Sequence, residues 1–202
     1  MNEIKSICVF ASSSNDIDKK FFNDAKELGE LIARNNYDIV YGGSNLGLMG
    51  AITSSAKEFG ARITGVMPEK LHNIGISEGP CTKFIITKGM RERKAKMDEL
   101  SDAVIALAGG FGTLEELSEM IVQKQLGYNS KPIVLLNTNG YYDYLVKFFN
   151  HIHEEKFARI DSKDIYYIAK NPKEAIDYIN NYKATEKDYL KEIKQKIASN
   201  IL

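Results

Sequence analysis

Two short stretches carry most of the residues that could do chemistry. "AGGFGTLEEL" (108–117) places Gly109, Gly110 and Gly112 ahead of Thr113 and the glutamate pair Glu115 and Glu116. A tight turn needs one or two glycines; a third brings some other group close to the backbone. A glycine-rich turn that opens a helix leaves unpaired N–H groups beside the positive end of the helix dipole, which suits a phosphate. The second stretch, "GMRERKAKMDEL" (89–100), sets Arg93 on the same helical side as Met90, Met97 and Leu100. A guanidinium on an apolar side needs a partner, either a carboxylate or a phosphate.

Glu116 fits two roles. "TLEE" (113–116) reads as a capping box, with Thr113 as N-cap and Glu116 reaching back to the N-cap amide. Equally, Glu116 is a carboxylate placed to act on a phosphate-bearing ligand. Glu115 falls about 100° further round the helix, towards solvent. None of His72, His151 and His153 lies in a glycine-rich loop, and no Ser-His-Asp set can be assembled. Neither a cofactor nor a metal ion is expected.

The elements that must position these residues are legible as short apolar runs separated by helical patterns. Strands are expected in "IKSICVFA" (4–11), "YDIVYGG" (37–43), "ARITGVM" (61–67), "KFIIT" (83–87), "DAVIAL" (102–107), "KPIVLLN" (131–137) and "DIYYIA" (164–169). Most are continuously apolar, as a parallel sheet covered on both faces requires. Between them Phe21, Ala25, Leu28 and Ile32 form a helical stripe, as do Leu48, Ile52 and Ala56, and Leu114, Leu117 and Ile121. The expected fold is α/β: a Rossmann-like, doubly wound parallel sheet of about seven strands with helices on both faces. Its ligand should sit at the carboxyl ends of the strands. There the first strand runs into "SSSND" (12–16), which includes Ser13, and the second into "GGSNLGLMG" (42–50), which opens with Gly42 and Gly43. Residues 1–182 read as a single domain. The segment 183–202 reads as an amphipathic helix packing on the domain or on a partner subunit.

Composition excludes several classes. Lys+Arg and Asp+Glu both number 27, so no net charge would hold nucleic acid or an anionic membrane. Two distant cysteines form neither a disulfide framework nor a zinc site, and a cytoplasmic location fits. Neither a secretory signal nor a bilayer-spanning stretch is evident. The dinucleotide and P-loop fingerprints are absent. A pyridoxal enzyme would need a lysine in a supporting context, and none is evident.

Together, "MRERK" (90–94) and "AGGFGTLEE" (108–116) resemble the paired motifs "MHxRK" and "PGGxGTxxE" of the Lonely Guy family of cytokinin-activating phosphoribohydrolases. "YGGSNLGLMG" (41–50) is similar to that family's "YGGGxxGLMG", and the likeness runs from about residue 5 to 160. It implies a Rossmann-like homodimer that hydrolyses a nucleoside 5′-monophosphate to free base and ribose 5-phosphate. By the same likeness Arg93 and Glu116 are the catalytic pair. Ser13, Gly42, Gly43, Met90, Lys94, Gly109, Gly110, Gly112 and Thr113 are the substrate-binding set. Ala108, Arg91 and Ser44 replace a proline, a histidine and a glycine of the motifs. Those positions border the base and the rim, so the family pattern does not fix which base is preferred. A broad nucleotide nucleosidase and a non-catalytic nucleotide carrier are the alternatives.

Overall fold

The structure is a computed structural model and describes residues 3–76, 79–158, 164–184, 194 and 198. Its strands are β1 (Ser6–Phe10), β2 (Asp38–Tyr41), β3 (Ile63–Pro68), β4 (Lys83–Thr87), β5 (Ala103–Ala106), β6 (Ile133–Leu136) and β7 (Tyr167–Ala169). Each coincides with an apolar run expected to be a strand, β3 reaching one residue past its run to Pro68. All pair in parallel, in the order β4-β3-β2-β1-β5-β6-β7. The chain therefore winds outward from β1 through β4, then crosses back to lay β5 on the other side of β1.

The helices are α1 (Lys19–Arg34), α2 (Gly47–Glu58), α3 (Glu69–Asn73), α4 (Met90–Glu99), α5 (Phe111–Gln125), α6 (Asp143–Glu154) and α7 (Pro172–Asn180). Strand alternation splits the interior into two cores. Ile7, Val9, Ile39, Tyr41, Ile105 and Val134 face α1, α2 and α7. Cys8, Phe10, Val40, Val104, Ala106 and Leu135 face α4, α5 and α6. Both sides of each central strand are thus buried, which is why these runs are apolar without a break. Among the described residues, no helix is long and apolar enough to cross a membrane. Most of the expected tail helix over 183–202 lies outside the described residues.

One glycine sets how closely the first two helices meet. A Cβ built at Gly29 would lie 2.4 Å from the Ile52 carbonyl oxygen and 3.1 Å from the Ala56 nitrogen, both backbone atoms. Gly29→Ala must therefore push α1 off α2. We expect it to cost about 1–3 kcal/mol, read as a lower urea midpoint with an unchanged slope.

Candidate active site

The sheet order reverses between β1 and β5, where a crevice opens at the carboxyl ends of an α/β sheet. Register brings the two exits side by side: Phe10 pairs with Ala106, and just beyond, the Ser12 N–H donates to the Ala108 carbonyl at 3.2 Å. The loop after β1 also holds the start of α2. Leu48 N–H donates to the Ser12 carbonyl at 2.9 Å, and Gly47 N–H to Asn15 Oδ1 at 2.9 Å. Gly47 has φ +56°, and a Cβ there would meet Ser12, Ser13 and Ser14 backbone atoms at 2.6–2.7 Å.

On the β5 side, α5 begins at Phe111 with Gly110 as N-cap and no side-chain cap. Its first N–H groups are therefore left without an intrahelical or side-chain acceptor. The capping box is overturned. Glycine lets the helix start early, so Thr113 occupies its third position and Glu116 lies too far along to reach the N-cap. Thr113 instead folds back on the loop, its Oγ1 lying where a Cβ at Gly109 would come within 2.1 Å. Cβ atoms at Gly110 and Gly112 would meet nothing within 4 Å.

Arg93 and Glu116 meet. Arg93 Nη1 donates to Glu116 Oε1 at 2.8 Å, and Nε donates to the Val66 carbonyl at 3.0 Å. The two side chains are only 10% and 9% exposed, so the pair is desolvated. Gly42 completes the seat: a Cβ there would sit 2.2 Å from Arg93 Nη2, so only glycine lets the guanidinium lie against this turn. Burial lifts the Glu116 carboxyl above its ordinary range, and Arg93 offsets part of that rise.

A cavity of about 420 Å³ opens over this pair, within the usual size of a small-molecule site. Its lining includes the apolar Leu46, Met49, Met67, Leu71, Ile76 and Met90 together with Ser13, Gly42, Arg93, Thr113 and Glu116, and Gly110 and Gly112 at the helix end. Three expected binding residues do not line it. Gly43 (φ +82°) packs against Phe84 and Met67, and the Gly109 carbonyl accepts from the Tyr141 hydroxyl at 2.6 Å. Lys94 is held by Glu115 and Glu119 of α5. Of the apolar lining only Met90 was expected; Leu46, Met49, Met67, Leu71 and Ile76 were missed, because they come from separate elements that only the topology joins. A larger cavity of about 630 Å³ lies at the opposite end of the sheet, lined by Tyr37, Asp102, Lys131 and Asn180, and holds none of the candidate residues.

Together these features define a Rossmann-like protein with an uncapped helix start set beside a buried carboxylate–guanidinium pair. Residues 49–179 match the family model described as "Possible lysine decarboxylase". A probable cytokinin riboside 5′-monophosphate phosphoribohydrolase of Oryza sativa subsp. japonica, LOGL2, is 40% identical over 90% of this chain and 74% of its own. The Arabidopsis thaliana enzyme LOG2, of the same description, is 35% identical over 94% of this chain and 91% of its own. Among solved structures, the molybdenum cofactor binding protein of Rippkaea orientalis is similar, with a TM-score of 0.68 and 25% identity over 88% of this chain and 96% of its own. The chain belongs to the Lonely Guy family of cytokinin riboside 5′-monophosphate phosphoribohydrolases. The decarboxylase description finds no lysine in the cavity. Lys124, whose amine burial lowers to about 8, bonds instead to the Lys131 carbonyl and the Tyr182 hydroxyl, at the far end of α5.

Proposed function

We propose that this chain hydrolyses the N-glycosidic bond of a nucleoside 5′-monophosphate, releasing the free base and ribose 5-phosphate. The observation that carries the reading is the buried Arg93–Glu116 pair facing a cavity whose lining includes the uncapped start of α5. The 5′-phosphate docks on the N–H groups at Gly110–Gly112 and on the Thr113 hydroxyl, with Ser13 opposite. The ribose then lies against Glu116. As the bond to the base breaks, its electron pair leaves with the base nitrogen and positive charge gathers on the anomeric carbon. Glu116 stabilises that charge and accepts a proton from the attacking water, whose oxygen bonds to the anomeric carbon; the departing base takes up a proton from solvent, and Glu116 returns its own to solvent. Arg93 positions the carboxylate and the substrate rather than giving up a proton, a guanidinium being a poor proton donor.

The apolar lining of Leu46, Met49, Met67, Leu71, Ile76 and Met90 suits a base with an apolar substituent, and unbranched methionine side chains adapt to one. This favours a prenylated adenine over cytosine. We place the enzyme in the cytoplasm, where the thiols of Cys8 and Cys81 remain reduced. Its state is a homodimer, for which the apolar side chains on the surface of α5 and α6, Val122, Tyr144 and Phe148 among them, provide a face.

Incubation with AMP, CMP and N6-isopentenyladenosine 5′-monophosphate, followed by chromatography of the free base, tests this. Release from the prenylated nucleotide, faster than from CMP, is the expected result. Equal release from all three would make it a broad nucleosidase. The likeness to a cofactor binding protein supports one other reading, a carrier, for which binding without any release is the signature.

A further inference from the structure

We propose that Lys94 is a positioning residue: by clasping Glu115 and Glu119 it fastens α4 to α5 and so holds Arg93 against Glu116, rather than binding the phosphate. The inference rests on the reading of Arg93 and Glu116 given above. α4 is a polar helix whose only buried residues are Arg93 and Met97, so apolar packing alone gives it little hold. Met97 reaches the core that α5 shares through Leu117 and Met120. At the far end of α4, Asp98 Oδ1 pairs with Lys131 Nζ at 2.5 Å. Near the site, the direct ties between α4 and α5 are Arg93 to Glu116 and Lys94 to the two glutamates, with Glu119 Oε2 at 2.6 Å. The Lys94 side chain is 16% exposed and does not line the cavity. Hydrogen bonding to Glu115 and then Glu119 raises its amine above the ordinary range, so it stays a cation.

Glu115 stands one residue before Glu116 and Glu119 three after it, on the exposed side of the same turns. The clasp therefore spans the helix turns that carry the carboxylate, while Arg93 adjoins Lys94 in sequence. Loosening it lets α4 ride outward and lengthens the Arg93–Glu116 contact.

The charges around Glu116 give the test a sign. Arg93 and Lys94 lower its pKa through space, and Glu115 raises it; the thiol of Cys8, buried nearby, is neutral. Replacing both outer glutamates (Glu115→Gln with Glu119→Gln) would therefore lower the Glu116 pKa if charge were all that changed. If the clasp positions Arg93, the pKa rises instead, because the guanidinium withdraws. Carboxyl NMR titration of the ligand-free protein reads this directly. In the same variant, kcat on N6-isopentenyladenosine 5′-monophosphate falls about tenfold with ribose 5-phosphate affinity within about twofold, since a misplacement of roughly 1 Å costs on the order of 10²-fold. Lys94→Met behaves alike and Lys94→Arg keeps most activity; thermal unfolding identifies any variant that fails to fold, and the Lys94→Arg titration then decides. A downward shift of Glu116 in the glutamate variant, or tenfold weaker ribose 5-phosphate binding confined to Lys94→Met, would overturn the proposal. Should wild-type protein release no base from any nucleotide, the proposed function fails while the titration still reads the clasp.

Discussion

Glu116→Gln is expected to lower kcat by about 10²–10⁴-fold with little change in KM for the nucleotide. Glutamine keeps the shape of the side chain, and its carbonyl oxygen can still accept from Arg93 Nη1, a contact now made at 2.8 Å. What disappears is the negative charge beside the anomeric carbon and the ability to take a proton from water. The phosphate site proposed at the start of α5 and Thr113 should be untouched. Single-turnover measurement of base release, alongside ribose 5-phosphate binding, separates the two effects. Near-native turnover in this variant would remove Glu116 from the reaction. In the wild type, the acid limb of the kcat profile lies above the ordinary carboxylate range, because burial raises Glu116 and the reaction uses its ionised form.

Arg93→Ala has the larger structural effect. The guanidinium is buried between a carboxylate, the Val66 carbonyl and the Gly42 turn. Its removal strands a carboxylate that has been taken out of water, a loss of about 3–5 kcal/mol. The pH dependence follows from linkage. A folded-state pKa raised above the unfolded value gives a contribution that is fully present below the unfolded pKa and is lost as pH rises through the folded one. Burial already raises Glu116, and without Arg93 the rise is larger. Arg93→Ala should therefore be nearest to wild-type stability at about pH 4 and furthest from it at about pH 8, as urea unfolding at both values will show. An equal deficit at the two values would mean that Glu116 finds another partner. Activity is lost in either case, since the carboxylate no longer has a fixed position.

The strands were legible because a sheet covered on both faces confines polar residues in β1, β2, β5 and β6 to the strand starts, Ser6 and Asp38. Arg93 was legible for the opposite reason, as a permanent charge on an apolar stripe. Glu116 was only half legible. The spacing that makes a capping box also puts a carboxylate on the buried side of α5, and the helix start decides between them. Three glycines make that start impossible to place from sequence, since each can serve as the N-cap. The buried stripe of α5 differs from expectation for the same reason. It is Thr113, Glu116, Leu117, Met120 and Lys124, with polar residues at both ends, whereas Leu114 and Ile121 stand half-buried. The partner of Lys94 lay beyond any local pattern, because Glu115 and Glu119 reach it only once α4 and α5 pack side by side.

Leu46, Met49, Met67, Leu71 and Ile76 come from the chain between β2 and β4, whereas Glu116 and the cavity-lining Gly110 and Gly112 come from beyond β5. On the proposed reading, recognition of the leaving group is thus encoded mostly ahead of β4, Met90 apart, and cleavage of its bond later in the gene. Drift in the first can redirect the enzyme towards another nucleobase while the reaction itself is inherited unaltered.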